Sequence, residues 1–80
     1  MIKLSKHTSD EMAGRRILLS YIETALTFPD RVVQDATDPG LSRSYKIIAE
    51  FGNRVLRVVH RPENDDIFVV TAHWDRGAKL

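Results

Sequence analysis

Ser44-Tyr45-Lys46-Ile47-Ile48-Ala49-Glu50-Phe51-Gly52-Asn53-Arg54-Val55-Leu56-Arg57-Val58-Val59-His60 holds two runs rich in β-branched and aromatic residues around a Gly-Asn pair. Such runs favour strands, and glycine with asparagine supplies the positive φ angles that a tight hairpin needs. The pattern predicts antiparallel strands over 44–51 and 54–60. A two-residue turn would set Phe51 opposite Arg54, Ile48 opposite Arg57 and Lys46 opposite Val59. Alternation then gathers Tyr45, Ile47, Ala49, Phe51, Leu56 and Val58 on one face, suited to packing beneath helices. Lys46 and Arg57 fall on the other, open face, where cationic side chains can meet a phosphate backbone. Arginine on an exposed strand also serves solubility and edge protection, so both readings of Arg57 stay open.

Downstream, Arg61-Pro62-Glu63-Asn64-Asp65 reads as a polar turn and 66–74 as the fourth and most apolar strand. The tail from Asp75 to Leu80 is expected to fray. Thr71 and His73 share one face of the fourth strand and Trp74 takes the other. The length of the preceding turn decides which of these faces meets Arg57, because one residue of slip exchanges them. His60, beside that turn, reads as solvated. Trp74 is either a core plug or an aromatic platform for a base.

Upstream, Asp38, Pro39, Gly40 and Ser42 mark 36–43 as loop, after a short β-branched strand over 31–35. Pro29 stops a helix over 17–28, since proline cannot continue the hydrogen-bond ladder. Leu18, Tyr21, Ile22, Ala25 and Leu26 recur there at helical spacing. A first helix is expected over 6–14, ended by Gly14, with Ser5 and the capping-box residue Thr8 as rival N-caps. Two helices and then a meander give an α+β class: two N-terminal helices packed on a four-stranded antiparallel sheet, with 1–80 as a single domain.

Eighty residues build only a small core, so a homodimer or partner protein is plausible. There is no cysteine, hence no disulfide framework and no thiol nucleophile, as expected of a cytoplasmic protein. No apolar run is long enough to span a membrane, and Met1-Ile2-Lys3-Leu4 lacks the look of a secretory signal. The net charge of +1 is barely basic. Residues 1–40 hold five Lys/Arg against six Asp/Glu, and residues 41–80 hold seven against five. A strong nucleic-acid binder usually has a larger basic footprint, although a local groove is compatible with this balance.

On the first helix, His7, Glu11 and Arg15 follow at four-residue steps along one stripe. An imidazole beside a carboxylate and a guanidinium suits phosphoryl chemistry. The same spacing also describes a solvated ladder of ion pairs. His7, His60 and His73 lack any metal-ligand spacing, and neither a nucleophile elbow nor a glycine-rich phosphate loop is present.

Lys6, His7, Met12, Arg15 and Ile17 stand where a bacterial domain-of-unknown-function family, number 4258, has its opening K-H-x-x-x-R-M-x-x-R-G-I pattern. The chain resembles this family further at Ile22, Ala25, Leu26, Pro29-Asp30, Val32-Val33, Tyr45, Leu56-Arg57-Val58-Val59 and Val69-Val70-Thr71. Glu11 replaces the family's usual Arg, Arg16 replaces its Gly, and His73 stands where it often has Tyr. In fold order that family is similar to the RelE-like toxins and to the metal-independent ribonucleases related to barnase.

The resemblance implies a small endoribonuclease. RNA carries its own nucleophile, the 2′-hydroxyl, so the protein need supply a base, an acid and cations for the phosphorane charge. On this reading His7, Arg57 and His73 are the catalytic groups, and Arg15, Lys46 and Thr71 touch the substrate. No metal or other cofactor is called for. The partners implied are RNA or the ribosome and a cognate antitoxin. A non-catalytic protein-interaction module fits the near-neutral charge, Glu11 and Leu18. A mobile-element cargo protein that kept the fold and lost the activity is a third reading.

Overall fold

Ser5 fixes the start of the first helix. Its backbone is extended, and its Oγ accepts a hydrogen bond from the Thr8 amide at 3.0 Å. That cap, and not the Thr8 capping box, opens helix α1 over Lys6–Arg15 in the computed structural model, which describes residues 1–80. Ser5 Oγ also donates to the Val70 carbonyl at 2.8 Å, while the fully buried Thr8 donates through Oγ1 to the Val69 carbonyl at 3.1 Å. The cap therefore anchors α1 to a strand more than sixty residues away in sequence. Ser5→Ala is expected to cost about 1–2 kcal/mol, at the upper end for a cap because two roles are lost together. A shift in the urea midpoint at constant slope is the measurement.

Gly14 does not end α1. The helix runs one residue further, and Arg16 takes the left-handed conformation at φ 56°. The amides of Arg16 and Ile17 both return to the Met12 carbonyl, a closure that satisfies a terminal acceptor and drops Ile17 into the core. Helix α2 spans Leu19–Thr27 and buries Tyr21, Ile22 and Ala25.

Three residues, Ile2–Leu4, form strand β1. The others are β2 (Arg31–Gln34), β3 (Ser42–Ile48), β4 (Arg54–Glu63) and β5 (Asp66–Trp74). The sheet has the order β1-β5-β4-β3-β2, and β1 runs parallel to β5 at its edge. The class is α+β, but the expected four-stranded antiparallel sheet is a five-stranded mixed one. Both helices lie on one face, around Ile17, Tyr21, Ile22, Ala25, Ile48, Leu56, Val58, Val69 and Ala72.

The central hairpin departs from a two-residue turn. Ala49–Phe51 forms a single 3-10 turn in place of the last strand residues, followed by Gly52 and Asn53 at φ 68° and 58°. This carries Phe51 against Trp74, the rings stacked 4.4 Å apart. The register moves by three: Ile48 opposes Arg54, Lys46 opposes Leu56, and Tyr45 opposes Arg57. An odd shift exchanges faces, so Tyr45 joins Arg57 on the open side and Lys46 leaves it. Ile48 takes the core place and Ile47 is exposed. The next hairpin is longer than expected, β4 continuing to Glu63 and turning through Asn64-Asp65. Pro62 is tolerated because β4 has outrun β3 there, whose pairing ends at Ser42 and His60.

Candidate functional site

Register places four side chains in one row on the face away from the helices. Arg31, Tyr45, Arg57 and His73 stand directly opposite one another across β2, β3, β4 and β5. Val33, Arg43, Val59 and Thr71 form the neighbouring row. The ambiguity at strand five is thus resolved: His73 and Thr71 share the face of Arg57, and Trp74 points to the aromatic cluster on the other side.

Arg57 and His73 are hydrogen-bonded through Nη2 and Nε2. A guanidinium only donates, so Nε2 is the acceptor and the neutral ring carries its proton on Nδ1. Burial pushes the His73 pKa below its ordinary value, and the Arg57 charge adds to the effect. Asp75 stands on the far side of Arg57, its Oδ2 3.4 Å from Nη1. Arg57 Nε is buried without a partner, a donor whose full hydrogen-bonding capacity is unused.

The stripe on α1 comes alongside this pair. Hydrogen bonds from Ser5 and Thr8 to β5, and from Trp74 Nε1 to the Arg15 carbonyl at 2.9 Å, hold α1 along the strand. Glu11 and Arg15 consequently act electrostatically on His73, with opposite signs. Glu11 is half-buried and lies 3.9 Å from His7 Nε2 and 3.8 Å from Arg15 Nε. His7 is exposed and bonded to neither Arg57 nor His73. Its link to them runs through Glu11, which the sequence reading placed in the same stripe but not among the site residues.

Two expected residues fall elsewhere. Lys46 is on the opposite face from Arg57, 3.5 Å from Asp30, because of the three-residue shift in register. His60 is not solvated: it is half-buried, bonded at 2.7 Å to the buried Ser44 Oγ, and burial lowers its pKa. Arg43 is committed to Asp35, which accepts from Arg43 Nε at 2.7 Å and from Thr37 and Asp38. Those bonds hold the Asp35 carboxyl well below the usual carboxylate range. No group of three or more His, Asp or Glu is placed to hold a metal ion.

A cleft of about 970 Å³ opens where the end of α1 meets the end of β5 and the 3-10 turn. His73 and Trp74 line it, together with Arg15, Arg16, Arg54 and Arg76. Asp75 could have been read from sequence by alternation with His73. Arg54 and Arg76 could not, since nothing local shows that a hairpin tip and a chain tail meet.

A family model described as domain of unknown function (DUF4258) matches residues 4–74. That span runs from the last residue of β1 to the last of β5 and takes in nearly the whole core and the Arg57–His73 row. Comparison with curated proteins and with solved structures finds no match.

Proposed function

The chain belongs to the DUF4258 family, and from that premise we propose that it is a metal-independent endoribonuclease of the RelE-like toxin kind, acting in the cytoplasm on RNA. The observation that carries the reading is the Arg57–His73 pair on the open sheet face, with Asp75 behind it and Glu11 and Arg15 alongside. A neutral imidazole and a guanidinium side by side are the base and the charge stabiliser that RNA transesterification requires.

In this scheme the RNA 2′-oxygen attacks the adjacent phosphorus and the bond to the 5′-oxygen breaks. The products are a 2′,3′-cyclic phosphate and a 5′-hydroxyl. Arg57 turns from His73 to the phosphate, freeing Nε2 to take the 2′-proton. Arg15 shares the phosphorane charge, and Thr71, next along the same face, contacts the substrate. His7, across Glu11, returns a proton to the leaving oxygen. Lys46 drops out of the scheme, since it faces the other way.

Purified protein is expected to cleave ribosome-bound mRNA with EDTA present, and His73→Ala to abolish cleavage. Because the His73 pKa is lowered, its base form persists below pH 6.5, the ordinary imidazole value. The acid limb of kcat/KM should therefore lie below 6.5; a limb above it would remove His73 as the base. Loss of activity in EDTA that added metal restores would overturn the metal-independent scheme.

A second reading, a protein-interaction module, rests on the sheet edge. All four residues of β2 are exposed, with Val32 and Val33 among them, and an unpaired edge accepts an added strand. In the ribonuclease reading the same edge would receive an antitoxin or a second copy.

A further inference from the structure

Seven of the twelve Lys and Arg side chains reach a carboxylate: Lys3, Lys6, Arg15, Arg43, Lys46, Arg57 and Arg61. Five do not, and three of those five, Arg16, Arg54 and Arg76, line the same cleft. Free guanidinium charge is therefore concentrated in one place on a chain that is nearly neutral overall. The cleft also carries an aromatic stack. Phe51 and Trp74 lie parallel within 9° at 4.4 Å, and Tyr21 meets Trp74 edge-to-face with ring centroids 6.1 Å apart. The Trp74 indole is fixed by its bond to the Arg15 carbonyl. Arg54 stands over the Phe51 ring as well, 5.5 Å from its centroid. That is looser than direct stacking, and Arg54 is exposed and unpaired. His73 and Asp75 line the cleft, and each is bonded to Arg57.

We infer that this cleft is the subsite for the single-stranded RNA flanking the scissile phosphate, with one base stacked on the Phe51–Trp74 pair and the backbone held by Arg16, Arg54 and Arg76. The inference rests on the ribonuclease reading for its substrate. Fixed aromatic rings stack any base, and purines best, at little entropic cost. A base entering over Phe51 displaces Arg54, whose guanidinium then turns to the adjoining phosphate. Unpaired arginines suit this role because no intramolecular ion pair must be broken first. The cleft is open, so a chain can pass through it. Recognition of this kind predicts weak sequence preference and strong salt dependence.

Trp74 is the only tryptophan, so its emission reports on this cleft alone. The full chain is titrated with a short 2′-O-methyl RNA oligonucleotide, which binds without being cleaved, and with an abasic counterpart. The expected result is saturable quenching by the base-bearing oligonucleotide, weakened at least about tenfold for the abasic one and for Phe51→Leu. Arg54→Ala and Arg76→Ala, both at exposed positions, should weaken binding and flatten its salt dependence. Equal affinity for abasic and base-bearing strands, or unchanged binding by Phe51→Leu together with Arg54→Ala, overturns the inference. Absence of quenching does so as well, even if unmodified RNA is cut, in which case the ribonuclease reading survives alone. Quenching as expected without cleavage of unmodified RNA keeps the binding site and ends the ribonuclease reading.

Discussion

Leu56→Ala is expected to leave most of the protein unfolded at room temperature. Leu56 is fully buried in the strand between β3 and β5, opposite Lys46 on one side and Trp74 on the other. Truncation removes the transfer free energy of the lost methyl groups and leaves a cavity under α2, together about 2–5 kcal/mol. A domain of this size seldom holds more than about 3–5 kcal/mol in total. Urea denaturation followed by circular dichroism gives the loss directly, where the variant folds at all. Leu56→Met, which conserves volume, should cost less than about 1.5 kcal/mol and keep the transition cooperative. A loss below about 1 kcal/mol in the alanine variant would mean that the site collapses around the cavity, against the rigid packing that β-sheet neighbours impose here.

Leu56 and Val58 were legible as core because alternation within one strand is local. The relation between two strands is not local, and there the sequence misled. Gly52-Asn53 does turn the chain, with both residues at positive φ. The ring of Phe51, however, leaves β3 in the 3-10 turn and stacks on Trp74, and nothing within the hairpin announces Trp74. The resulting three-residue shift moved Tyr45 and Lys46 between faces. Strand β1 was invisible for a related reason: three residues show too little alternation, and its pairing partner lies at Ile67–Val69.

The same distinction divides the site. His73 and Arg57 were visible as chemistry-bearing types on strands, and the stripe of His7, Glu11 and Arg15 as a helical face. What brings Glu11 and Arg15 to His73 is the Ser5 and Thr8 anchorage of α1 to the carbonyls of Val69 and Val70. Ser5 was legible as a cap, but its second hydrogen bond was not. Serine at a helix start looks the same whether or not it also reaches a strand. Tertiary hydrogen bonds to backbone carbonyls leave no trace in residue type at the accepting end, so the assembly of the site could not be read before the fold.

Arg57→Ala is expected to lower the cleavage rate about a hundredfold or more, the scale for losing one preorganised donor to a developing oxyanion. Arg57→Lys should recover little, because an ammonium cannot offer a phosphate the paired donors of the planar guanidinium. Stability should change less than in Leu56→Ala: Arg57 is partly buried and its bonds to His73 and Asp75 are lost, but no cavity opens in the core beneath the helices. The rate per folded molecule separates a direct role from a structural one, and the pH profile reports the charge of Arg57 beside His73. Arg57 lowers the His73 pKa by its charge, so its removal lets that pKa rise while burial still holds it down. The acid limb of the residual activity should accordingly move to higher pH than in the parent. A merely scaffolding Arg57 would reduce the amount of folded enzyme and leave the rate per folded molecule unchanged. In a bacterial host, induction of the parent should arrest growth and induction of Arg57→Ala should not. If parent and variant are equally harmless and neither cuts RNA, the Arg57–His73 pair is a structural bond on the sheet face away from the helices. The free edge at β2 then becomes the working surface of the protein.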